Sequence, residues 1–234
     1  MTAQNKVTII SGASGGLGTV VSQKFFEAGA KLVLVGSRPE PVQALAEAMG
    51  ADRAFAVAAN LAEAAEADRV VAETVARFGR VDILLNLAGG FAGGAPVVDS
   101  RADDLTHMLA INLHTTYNLS RAAARVMMAQ NWGRIVNTGS RDALKGRANF
   151  SAYAISKAAV LRLTESMAAE LQAYHITVNA ILPGTIDTAA NRRSMPNADV
   201  STWVKPAVIA EALLFLTQAE TAINGAAIPL YGQS

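Results

Sequence analysis

The chain has 234 residues, 51% of them hydrophobic and 17% charged, with a net charge of +1 and no cysteine. Such a sequence is too apolar to stay disordered and has no basic excess with which to grip nucleic acid. It can form neither disulfides nor thiolate metal sites, and its length suits one α/β domain spanning 1–234 with a large buried core.

The first apolar run, 6–11, reads as a buried strand, too short for a secretory segment or a membrane span. A cytoplasmic place with no membrane partner is therefore the expectation. The run continues into Ser11-Gly12-Ala13-Ser14-Gly15-Gly16-Leu17-Gly18, where a helix is predicted over about 15–28. Glycines between a strand and a helix let the backbone turn sharply and approach a pyrophosphate, whose charge meets the free amides of the helix. Gly12, Ser14, Gly16, Leu17 and Gly18 are accordingly candidate coenzyme contacts, with an unliganded tight turn as the alternative. The second strand, 31–36, ends Val35-Gly36-Ser37-Arg38, and no carboxylate follows until Glu40. In dinucleotide folds an acid at this place binds a ribose 2′-hydroxyl, whereas an Arg accommodates a 2′-phosphate. Ser37 and Arg38 thus predict NADP(H) over NAD(H).

Further helices are predicted at about 39–49, 63–78, 101–130, 151–173 and 206–218, and strands at 54–58, 81–86, 134–138, 177–181 and 227–230. Asn60 and Leu61 follow the third strand. The fourth ends Asn86-Leu87-Ala88-Gly89 and opens a glycine-rich run, 89–94. That run is either a flexible connection or a wall of the coenzyme pocket with Phe91 facing substrate. His107 and His114 stand two helical turns apart, too far along the axis to share one ion, and His175 is alone, so no metal site is expected. Ser140 lies just past the fifth strand. Tyr153 and Lys157, four apart on a helix, leave the same face. A phenol titrates near pH 10 in isolation, and a neighbouring ammonium is expected to lower that value. The segment 184–205, polar and without periodicity, is expected to be a mobile lid over an active site. Its Arg192 and Arg193 either attract an acidic group or are simply solvated. Strands alternating with helices imply a Rossmann-type, doubly wound, parallel seven-stranded sheet with helices on both faces.

Together these residues resemble the short-chain dehydrogenase/reductase family over essentially the whole chain. The family's T-G-x-x-x-G-x-G element appears with Ser11 in the Thr position, and its N-N-A-G element as Asn86 to Gly89. Its helix-borne Asn matches Asn112, its Ser matches Ser140, its Tyr-x-x-x-Lys is Tyr153 to Lys157, and its P-G element is Pro183-Gly184, followed by Ile186 and Thr188. The resemblance implies hydride transfer between a nicotinamide and a carbonyl or secondary alcohol, with Tyr153 as general acid/base. Ser140 would hold the substrate oxygen, Lys157 would lower the phenol pKa and hold the nicotinamide ribose, and Asn112 would bind a water linking Lys157 to solvent. By the same likeness Asn60, Leu61, Asn86, Ala88, Gly89, Tyr153, Lys157, Pro183, Gly184, Ile186 and Thr188 join the coenzyme contacts.

Asn60 replaces the acid that often contacts adenine, and Leu87 replaces the second Asn of the fourth-strand element. The stretch 191–199, with Trp203, is similar to the lid of dihydropteridine reductases, although those enzymes generally use NADH and lack the catalytic Ser. A generic carbonyl is the first expectation for substrate, with a 3-oxoacyl carrier-protein thioester or a pterin behind it. Readings of other classes are a non-catalytic NADP(H)-binding sensor and an isomerase, epimerase or dehydratase. The likeness also implies a homotetramer or homodimer, built through the two long helices and the final strand.

Overall fold

The structure, a computed structural model, describes residues 3–233. Its sheet runs in the order β3-β2-β1-β4-β5-β6-β7. The strands are β1 Val7–Ser11, β2 Lys31–Gly36, β3 Ala54–Ala58, β4 Ile83–Asn86, β5 Gly133–Thr138, β6 Ile176–Pro183 and β7 Ala227–Leu230. Every neighbouring pair is parallel, as the alternation of apolar runs and helical stretches requires.

The two layers can be read along each strand. Ile9, Val33, Val35, Leu84, Ile135 and Val178 point to one face, where α3 (Ala64–Phe78), α5 (Thr115–Gln130) and α6 (Ser151–Leu171) cover them. Ile10, Leu32, Leu34, Ile83, Leu85 and Val136 point to the other, under α1 (Gly16–Glu27), α2 (Pro39–Met49) and α8 (Pro206–Leu216). Side chains of period two with both faces apolar give a strand no solvent side, so a double helical cover is the only way to bury it. Each fully buried Leu or Ile contributes roughly 1.5–3 kcal/mol. That outweighs any single cap, and α1 has none from a side chain.

The predicted elements agree in order and type, with three differences of substance. The long helix expected over 101–130 is broken. It consists of α4 (Asp104–Met108), a π-helical turn (Leu109–His114) and α5. The wider turn carries Asn112, and the Thr115 and Thr116 hydroxyls donate to the carbonyls of Ile111 and Asn112. Such turns cluster at functional sites. The helix expected to reach 173 passes at Leu171 into a 3-10 turn and stops at His175, whose φ is +56°. The segment 184–205 is not featureless: it holds α7 (Ala189–Ser194), a 3-10 turn (Val200–Thr202) and a parallel bridge between Ile186 and Val204. None of the described helices is long and apolar enough to cross a membrane.

Strand order reverses between β1 and β4, and a cleft opens beyond the carboxyl ends of the strands at such a point. Gly12, Ser37, Asn60, Ala88, Ser140 and Gly184 follow the ends of β1 to β6 in turn. The sequence motifs therefore collect on one edge of the sheet.

Candidate active site

The glycine loop is shaped by close approach. Gly12 has φ +67°, and a Cβ there would stand 2.9 Å from the Ala88 amide nitrogen. A Cβ on Gly18 would overlap the Gly12 carbonyl oxygen, and one on Gly16 would come within 2.9 Å of Thr188 Cβ. The loop thus sits between the end of β4 and the base of the segment expected to form the lid. Ser11, in the Thr position of the motif, ties the first contact down: its Oγ accepts from the amides of Leu87 and Ala88, both at 3.1 Å. Because Gly15 supplies no side-chain cap, the first-turn amides of α1 face the cleft without one. With glycine at the cap position the loss is only a few tenths of a kcal/mol, which burial of Val21 and Phe25 offsets. Bare amides at a helix N-terminus, reached over glycines, fit a pyrophosphate.

Ser37 and Arg38 are exposed past the end of β2, and no carboxylate among the described residues pairs with Arg38. Asn60 is exposed too, its Oδ1 accepting from the Ala62 amide at 3.3 Å. Two expected coenzyme contacts are committed elsewhere. The Asn86 side chain turns inward, where its Nδ2 donates to Ser120 Oγ and Asn137 Oδ1, each at 2.8 Å. Asn137 in turn donates to Thr164 Oγ1 at 2.9 Å. This buried polar chain joins β4 and β5 to α5 and α6. Leu61 packs in the core, and its carbonyl accepts from Asn118 at 3.1 Å. Both side chains are buried.

The catalytic candidates do come together. Lys157 is buried, and its Nζ donates at 2.8 Å to the Thr138 carbonyl at the end of β5. A Cβ on Gly89 would lie 3.3 Å from that Nζ and 2.6 Å from Asn112 Oδ1, so only glycine lets the chain pass between them. Asn112, fully buried, clamps the next residue: its Oδ1 accepts from Gly90 N at 3.0 Å and its Nδ2 donates to Gly90 O at 3.1 Å. Ser156 also receives a bond from Nδ2, at 3.1 Å. The Asn112 amide thus holds the Gly90 backbone against Ser156 of α6.

Tyr153 is hydrogen-bonded to Ser140. Burial raises its pKa above the ordinary phenol value, the Ser140 bond opposes this, the Asp142 carboxylate adds to the rise and the Arg147 guanidinium opposes it. The expectation that Lys157 lowers the phenol pKa is not met. Burial pushes the Lys157 ammonium down to about 8, so it loses its proton before the phenol does and is no longer a cation when the phenol titrates. Near neutral pH Tyr153 is a neutral phenol, one helical turn from the Lys157 ammonium. That arrangement can deliver a proton to a developing alkoxide and be recharged from behind.

Phe91, 59% exposed, stands edge-on to the Tyr153 ring with centroids 5.0 Å apart, and lies 5.3 Å from Phe150. It reaches the face where substrate is expected. Arg192 is not a free cation: its guanidinium binds Asp187 through bonds of 2.6 and 2.9 Å. Sequence reasoning placed Ser11 at the head of the glycine motif without giving it a role, and passed over Asn137, Ser156, Asp142 and Arg147, for which the sequence carried no signal. Among the described residues no three side chains of His, Cys, Asp or Glu gather as metal ligands would.

The family model for short chain dehydrogenases matches residues 6–199. A 3-oxoacyl-acyl-carrier-protein reductase of Vibrio cholerae is 30% identical over 241 residues, covering 99% of this chain and 98% of that protein. Among solved structures, an NAD+-bound xylitol dehydrogenase superposes with a TM-score of 0.91 at 27% identity, over 99% of this chain and 100% of that one. A gluconate 5-dehydrogenase from Burkholderia cenocepacia, in complex with NADP and tartrate, gives the same score and identity over 99% and 95%.

Proposed function

The chain belongs to the short-chain dehydrogenase family and is an oxidoreductase acting on CH–OH or C=O groups with a nicotinamide coenzyme. From that footing we propose that it prefers NADP(H), that its substrate is a carbonyl or secondary alcohol, and that Tyr153 is the proton donor and acceptor. The single observation that carries this reading is the Ser140–Tyr153–Lys157 constellation on the edge of the cleft, with Ser140 and Lys157 buried and Tyr153 half-buried between solvent and core. A bound nicotinamide supplies or accepts the hydride. The chain does the rest. The α1 amides and the glycine loop hold the pyrophosphate; Ser37 and Arg38 take the 2′-phosphate; Thr188 and Ile186 close the near side. Ser140 fixes the substrate oxygen, and Tyr153 gives it a proton during reduction or removes one during oxidation. Lys157 resupplies Tyr153. The segment 184–205 acts as the substrate lid, and 1–234 works as one domain.

An exposed Arg38 with no acidic partner supports NADP(H). Steady-state kinetics with both coenzymes tests it: Arg38→Ala should cut kcat/KM for NADPH about 10- to 100-fold, the worth of a charge-assisted contact, and leave NADH use nearly untouched. A native preference for NADH, indifferent to Arg38, would refute it. The xylitol and gluconate enzymes among the neighbours favour a hydroxylated substrate. The carrier-protein reductase favours a second reading, a 3-oxoacyl thioester. We also place the protein in the cytoplasm as a homodimer or homotetramer. The absence of cysteine, and half-exposed Tyr117 and Ile155 on α5 and α6, support that.

A further inference from the structure

Contacts close into a ring around the Tyr153 hydroxyl. Ser140, bonded to Tyr153, accepts from the Asp142 amide at 3.2 Å. The Asp142 carboxylate, 15% exposed, receives Arg147 at 3.2 Å. Arg147 lies over the Phe150 ring at 4.0 Å, Phe150 meets Phe91, and Phe91 returns to Tyr153. The ring is joined to the Ser140 hydroxyl and the Tyr153 aromatic ring, not to the glycine loop, so it borders the space a substrate enters. Past Phe150 lies a cavity of about 140 Å³, with Ser100, Asp104 and Asn149 on its wall.

We infer that Asp142 and Arg147 are the substrate-recognition pair of this site, and that they read the vicinal hydroxyls of a neutral, polyhydroxylated chain. The inference rests on the oxidoreductase reading above and narrows its substrate class. The pair carries no net charge. An anionic substrate would gain at Arg147 and lose at Asp142 and Asp104. A hydroxyl can donate to the carboxylate and accept from the guanidinium at once. The exposed Phe91 ring offers an apolar face to the carbon skeleton between hydroxyls, which is how pockets with few polar groups fix orientation. A plain ketone or acyl chain would use the ring and leave both charged partners without a match.

The test compares xylitol with 2-pentanol, equal in carbon number, in oxidation with NADP+. The native protein should favour xylitol. Asp142→Ala should cut kcat/KM for xylitol about 10- to 100-fold, mostly through KM, and that for 2-pentanol by less than about fivefold, since only the polyol loses a hydrogen-bond partner. A double variant, Asp142→Arg with Arg147→Asp, keeps an ion pair but exchanges donor for acceptor, and should stay poor on xylitol. Restoration of xylitol turnover by the exchange would make the pair merely structural and overturn the inference. Equal losses on both alcohols, or a native preference for 2-pentanol, would overturn it too. No oxidation of either alcohol and no reduction of any ketone would instead sink the parent reading, and this one with it.

Discussion

Replacing Lys157 by Met keeps the side chain unbranched and nearly as long, and removes its charge. The ammonium is 4% exposed and donates one hydrogen bond, to the Thr138 carbonyl. Burial brings its pKa from 10.5 to about 8. Between those values the unfolded chain holds more proton than the folded one, so the native contribution of Lys157 to stability rises with pH across that window. From pH 7 to pH 10 the rise integrates to roughly 2–3 kcal/mol. Tyr153 acts in the opposite sense above pH 10, because burial raises its pKa, but it is present in both proteins and drops out of the difference. Urea denaturation of the native protein and Lys157→Met, without coenzyme and at matched concentration, should therefore show the native protein gaining on the variant through this range. A difference that stays flat with pH would mean the ammonium is not desolvated, and the relay argued for Lys157 would fail.

Oxidation of an alcohol should quicken as pH rises through about 8, where a deprotonated Lys157 can accept what Tyr153 abstracts. A pH–rate profile in the oxidative direction that is flat there would count against the relay. Gly12→Ala should lose about 1–2 kcal/mol to its left-handed backbone alone. Its Cβ would also press on the Ala88 amide, so a coenzyme fluorescence titration should show binding abolished while a urea melt shows the fold retained. Native-like coenzyme affinity in that variant would dismiss the glycine loop as the cradle.

The fold was legible because period-two apolar runs with no polar face leave a strand only one environment. Ile9 and Ile10, on opposite faces of β1, are a small instance of the whole. Glycine positions were legible for a local reason: Gly12 has a left-handed backbone, and a Cβ on Gly18 would run into Gly12 and Ala13 of its own loop. What could not be read depends on contacts distant in sequence. Asn86 is an amide at a strand end in the sequence. That it turns inward is decided by Ser120 and Asn137, 34 and 51 residues away. The π-turn at Asn112 likewise answers to Gly90 and Ser156, which no helical periodicity reports. The sign of the Tyr153 shift was missed because spacing of four residues gives proximity without giving burial. Desolvation is the largest cause at both residues, raising the phenol and lowering the ammonium.

The most direct trial of the account removes one oxygen atom. Tyr153→Phe keeps the ring against Phe91 and deletes the hydroxyl that exchanges the proton. Turnover with NADPH and a ketone substrate should fall about 100- to 10,000-fold, while NADPH binding, followed by fluorescence titration, stays within about twofold, a few tenths of a kcal/mol. A variant that binds NADPH normally and still turns over at near-native speed would contradict the central claim.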